Sequence, residues 1–151
     1  MKRLKRIGLA LLVVLVGLQV IPTRTNQNTE VASFDFIKTN KVPEDVGRML
    51  LTSCYDCHSN NTNYPWYSRV QPVGWLLENH INMGKAVLNL SEFGGYSVRK
   101  QKSKLKSMTN QIEKDEMPLS SYTFIHHNAR LTQDSKKILV GYLNALQDSL
   151  Y

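Results

Sequence analysis

Cysteine is nearly absent from this chain: two residues, Cys54 and Cys57, among 151. A disulfide framework is excluded, and a bridge between these two would close so small a loop that it stabilises little. A structural zinc site wants four protein ligands. With no further thiol, it would have to recruit histidines such as His126 and His127, and the chain has only four histidines. No uninterrupted apolar run reaches the ~20 residues that span a bilayer comfortably. There is no internal repeat and no alternation of polar and apolar residues that would make a strand. Nor is there a carboxylate pair at catalytic spacing.

Positive charge is plentiful but unevenly placed. The formal net charge is +7, yet four of the 19 basic residues (Lys2, Arg3, Lys5, Arg6) fall in the first six positions. Beyond them, 15 basic residues face 12 acidic ones, so the high pI does not argue for nucleic acid. Ile7 to Ile21 follows, interrupted only by Gln19. A basic start before a short apolar run is the pattern of an export signal. No small-residue cleavage site follows it, and no cysteine lies nearby to take a lipid. The expectation is an uncleaved anchor over residues 1–22 with its basic end in the cytoplasm; a cleaved leader is the alternative. The rest would then lie on the periplasmic side, with the membrane as a partner through that helix.

Residues 23–41 are polar and loosely patterned, as a tether and lead-in would be, with "FDF" (Phe34 to Phe36) able to make a short packing contact. From residue 42 to 151 the periodicity is helical. Pro43 suits a helix start, with Glu44 and Asp45 in the first turn and Val46, Met49 and Leu50 on one face. Pro72 to about Leu90 reads as a helix burying Val73, Leu76, Leu77, Ile81 and Val87 or Leu88. Ser97 to Glu113 repeats Val98, Leu105, Met108 and Ile112 at helical spacing. Thr132 caps a last amphipathic helix carrying Ile138, Leu139, Tyr142, Leu143 and Leu146. The fold class is all-α: four or five helices with long loops.

Cys54, Cys57 and His58 form C-x-x-C-H, which reads as the attachment motif of one covalent haem c. Positions i, i+3 and i+4 share one face of a helical turn. Two thiols there can bond the two haem vinyl groups while the imidazole reaches the iron as proximal ligand. Tyr55 and Asp56 point off that face and are free to vary. The distal ligand is less legible. Pro118 keeps the preceding Met117 in extended backbone, able to project its thioether, although methionine more often fills a core. His80 (with Met83 three residues on), His126 and His127 are the competing ligands.

C-x-x-C-H early and Met-Pro before the last helix resemble the small single-haem cytochromes c, whose methionine in that position is the distal ligand. The longer runs CYDCHSNNTNYPWYSRVQPVGWLL and EMPLSSYTFIHHNARLT resemble a family of exported bacterial haem-binding domains of cytochrome c type. The resemblance covers roughly Val42 to Leu146. It implies a helical domain wrapped around one haem, with Met117 as the distal ligand. The chain departs from short cytochromes c in carrying more residues between the two motifs and in the stretch YPWYS. Tyr64, Trp66 and Tyr67 there, with Trp75, are expected either to wall the haem or to serve as ordinary core aromatics. Pro65 or Pro72 would supply the carbonyl that orients His58.

An iron with His and Met on its two faces exchanges single electrons and resists small ligands. The expected role is therefore electron transfer with a redox protein partner, a carrier rather than an enzyme. A haem sensor with a displaceable distal ligand is the alternative, and a peroxidase-like site assisted by His126 or His127 the second. The run Arg99, Lys100, Lys102, Lys104, Lys106 is either a solvated helix face or a guide for acidic partners.

Overall fold

The computed structural model describes residues 2–28 and 33–150, which fold as eight α-helices joined by turns. The first helix, α1 (Lys2–Leu18), buries none of its side chains against the rest of the chain. At ~1.5 Å per residue its 17 residues extend ~26 Å, short of a ~30 Å hydrocarbon core. Among the described residues no helix is long and apolar enough to cross a membrane. The end of α1 is fastened to the domain. Gln19 Nε2 donates to the Gln71 carbonyl at 3.1 Å, and Gln71 N–H returns the bond to Gln19 Oε1 at 2.9 Å.

The helical domain begins before residue 42. Asp35 caps the short α2 (Phe36–Thr39) by accepting from the backbone of Ile37 and Lys38, and Phe36 is fully buried. The Phe36 ring meets Phe93 edge-on at 4.8 Å, fixing α2 against the 3-10 turn Leu90–Gly95. The core continues through Val46 and Leu50 of α3 (Glu44–Ser53), Leu105, Met108 and Ile112 of α6 (Val98–Glu113), and Leu139 and Leu143 of α8 (Gln133–Ser149). Helices α6 and α8 pack together, and α3 lies against α8. Thr132 caps α8 as expected, its hydroxyl accepting from Ser135 N–H at 3.1 Å. Among the described residues there is no strand, only an isolated bridge between Gln27 and Asn61.

Helix α5 (Val73–Val87) departs from its sequence pattern. Ile81 and Leu88 are buried as expected, but Leu76 and Val87 are 61% and 60% exposed, and Val73 is also outward. The inward positions include Gly74 and Glu78 instead. A Cβ on Gly74 would stand 2.3 Å from the Ser68 carbonyl oxygen, so only glycine admits that approach. Glu78 is buried because its carboxylate accepts from the Tyr64 hydroxyl. Close contact and a polar tie, not hydrophobicity, orient this helix.

Candidate functional site

The chain breaks at Cys54, where α3 ends, and restarts as the single turn α4 (Tyr55–His58). The Cys54 carbonyl accepts from the N–H of Cys57 at 3.2 Å and of His58 at 2.9 Å. That one turn puts both thiols and the imidazole on a common face, which borders a cavity of about 430 Å³, within the usual range for cofactor sites. Met117 and Pro118 border the same cavity, with Met108 and Ile112 of α6 and Leu88 beyond α5 among its apolar walls. Tertiary folding thus brings Met117 to within one pocket of a motif sixty residues earlier in the chain.

His58 is oriented by α5, not by Pro65 or Pro72. Its Nδ1 lies 3.0 Å from the Gly84 carbonyl and 3.1 Å from the Leu88 carbonyl. Both are acceptors, so Nδ1 carries the proton and Nε2 keeps its lone pair. The Gly84 carbonyl also accepts from Leu88 N–H at 2.9 Å, so it is shared, and both carbonyls lie at the negative end of the α5 dipole, which suits this contact. Burial holds the ring's pKa below its ordinary value, outweighing the carbonyl contacts that favour the charged form. The imidazole is neutral and ready to ligate.

The thiols are free, and neither is activated. Burial pushes Cys54 up to about 12, helped by neighbouring Cys57, and pushes Cys57 up to about 11 with Asp56 adding to it. A redox dithiol needs the reverse shift. Zinc fares no better: among the described residues no three His, Cys, Asp or Glu side chains converge as a metal-binding group.

Gly84 permits the arrangement. A Cβ there would lie 2.7 Å from the Cys57 carbonyl oxygen and 3.4 Å from its Cβ. Gly84→Ala gains up to ~1 kcal/mol of helix propensity but forces backbone apart, at ~1–3 kcal/mol. We expect a net loss of about 1–2 kcal/mol in denaturant unfolding and a lower haem-to-protein absorbance ratio. A variant as stable and as fully loaded as the parent would contradict this close packing.

The family model of the haem-binding domain matches residues 13–145, nearly the whole chain. The chain belongs to the haem-binding domain family. No curated protein and no solved structure matches it. As a member of that family it is a haem-binding protein, and the cavity's donor set fits the cofactor: a neutral imidazole with a free nitrogen, a thioether, two thiols and apolar walls.

The other residues singled out from sequence fall in different places. His80 and Met83 border the same cavity from α5 and are exposed. His126 and His127 do not border it. His126 is engaged elsewhere, its Nε2 lying 2.7 Å from the Tyr67 hydroxyl and its ring stacked on Tyr122 at 4.4 Å. His127 is exposed. Of the aromatics expected to wall the haem or to serve as ordinary core, none of Tyr64, Trp66 and Tyr67 borders this cavity. Tyr64 is held by Glu78 and by the Asn26 N–H, Tyr67 faces His126, and Trp66 is 80% exposed. Trp75 is likewise outside the lining.

Two residues that appeared free to vary are not. Tyr55 is buried, donating to the Asp35 carboxylate at 3.1 Å. Asp56 accepts from the Tyr122 hydroxyl at 2.7 Å and from Asn63 N–H at 3.0 Å. Gly84 was the one legible hint among the missed positions, since a glycine inside a helical pattern usually marks close packing.

Proposed function

We propose that this haem-binding protein is a mono-haem c-type cytochrome carrying single electrons at the outer face of a membrane. The observation that carries the reading is that one apolar cavity is bordered by Cys54, Cys57, His58 and Met117 together. Cys54 and Cys57 would hold the haem covalently, each thiol S–H adding across a vinyl group to give a thioether with no net redox change. His58 Nε2, its ring oriented by the Gly84 and Leu88 carbonyls, and the Met117 sulfur would be the two donors to the haem iron. A bound haem contributes the one-electron iron couple, with a potential raised by Met ligation. The protein's share is to exclude water with Met108, Ile112 and Leu88 and to keep both axial donors in position.

Placement at the membrane rests on α1, whose basic start and outward aliphatic side chains suit a lipid environment. Exposed Trp66, Val70, Val73 and Leu76 surround Gln71, to which the end of α1 is bonded, and would lie near the same surface. Lys104 borders the haem cavity, where an acidic redox partner would meet it.

The test is the visible spectrum of full-length protein from an export-competent host with haem-attachment machinery, oxidised, reduced, and reduced under carbon monoxide. A carrier shows two low-spin spectra and refuses carbon monoxide. Rapid, complete binding would replace this reading with the sensor or the peroxidase-like one.

A further inference from the structure

Haem ligation leaves the stretches YPWYS and SSYTFIHH without a role, yet the structure joins them. Helix α7 (Ser120–Ile125) carries Tyr122, whose hydroxyl donates to Asp56 Oδ2 at 2.7 Å, inside the C-x-x-C-H turn. The other Asp56 oxygen accepts from Asn63 N–H, so the carboxylate is itself held. The Tyr122 ring stacks on His126 with 20° between planes, and His126 Nε2 lies 2.7 Å from the Tyr67 hydroxyl. Tyr67 belongs to the 3-10 turn Trp66–Arg69, which packs on α5. The chain after Met117 is therefore clasped at two points: to the attachment turn through Asp56, and to the α5 side through Tyr67.

The placement matters because the loop's other ties lie on its near side, where Lys136 of α8 pairs with Asp115. On its near side Asp115 reverses the chain with a φ of 59°, and the N–H groups of Glu116 and Met117 return to the Gln111 carbonyl. Among the described residues, no side chain from 116 to 121 hydrogen-bonds to another part of the protein. The next fixed point is Tyr122, five residues past Met117 and itself a wall of the haem cavity.

We propose that Asp56, Tyr122, His126 and Tyr67 form a clasp that holds the Met117 loop over the haem and so governs how readily an outside ligand displaces Met117. These are positioning residues; none touches the reacting iron. The proposal rests on Met117 being the distal ligand. Tyr122→Phe keeps the ring, the stack and the cavity wall and removes only the hydroxyl. A hydrogen bond to a carboxylate contributes enough that its loss should raise imidazole entry about tenfold.

The experiment uses ferric holoprotein and free imidazole, followed by stopped-flow loss of the far-red sulfur-to-iron charge-transfer band. Tyr122→Phe should retain the band without imidazole and lose it about tenfold faster when imidazole is added. Asp56→Asn, which replaces a charged acceptor with a weaker one, should also speed entry, and combined with Tyr122→Phe it should be less than additive, since both act on the same contact. Ser97→Ala, which uncaps the start of α6 away from the Met117 loop, serves as the control for general destabilisation and should leave the entry rate alone. An unchanged rate in Tyr122→Phe, with the band present in the parent, overturns the clasp by itself; so does equal acceleration by Ser97→Ala. A parent without the band overturns the Met117 ligation and the clasp with it.

Discussion

With Cys54 and Cys57 both replaced by serine, all haem should leave the denatured protein in acid–acetone, whereas the parent should keep its colour. The chain has no other cysteine, so no second thiol can substitute. Serine preserves the size of the side chain but is far too weak a nucleophile to add to a vinyl group. The variant is still expected to load some haem, because His58, its carbonyl acceptors and the apolar walls are untouched. That separates binding from attachment: a red folded protein that bleaches on extraction. Either single replacement should leave one thioether and a colour that survives. Mass spectrometry of the intact chain reads all three outcomes, since each covalent haem adds one fixed mass. Colour persisting in the double variant would mean attachment through some other group and would remove the c-type reading.

Met117→Ala should lower the reduction potential and open the ferrous haem to carbon monoxide. Methionine sulfur favours ferrous iron, and axial ligands together span about 0.8 V across haem proteins, so a fall on the order of 0.1–0.2 V is expected. The far-red sulfur-to-iron band should vanish. Folding should suffer less, by about 2 kcal/mol, the low end for truncating a methionine, because Met117 is only half-buried. Potentiometric titration and carbon monoxide difference spectra measure the two main effects. His80→Ala and Met83→Ala provide the contrast: both side chains border the same cavity but are exposed on α5, and their loss should leave the potential in place. If instead His80→Ala shifts the potential and Met117→Ala does not, the distal ligand is His80. His126 is an unsuitable substitute while its Nε2 is engaged by Tyr67.

What could be read without coordinates was what depends on neighbours a few residues apart. The spacing of Cys54, Cys57 and His58 dictates a shared face because one helical turn has that period, and α4 is that turn. The Thr132 cap, the acids opening α3 and the buried row Leu105, Met108 and Ile112 are local in the same sense. Misreadings arose where a long-range contact outweighed the pattern. In α5 hydrophobic periodicity pointed to Val73 and Leu76, whereas Gly74 against Ser68 and Glu78 against Tyr64 set which side turns inward. The packing contact expected of Phe34 to Phe36 is made by Phe36, but that its partner is Phe93 could not be read locally.

The amino-acid sequence alone determined the helical class, the basic then apolar N-terminal segment, and the shared face of Cys54, Cys57 and His58. Each follows from backbone geometry over a single turn or from composition. Only the tertiary structure decided that Met117 shares their cavity, that Gly84 and Leu88 orient His58, that Tyr122 bonds Asp56, and that Tyr67 meets His126 outside that cavity. The reason is physical: a hydrogen bond or cavity wall built across 26 to 66 residues depends on how helices meet, which no local spacing encodes.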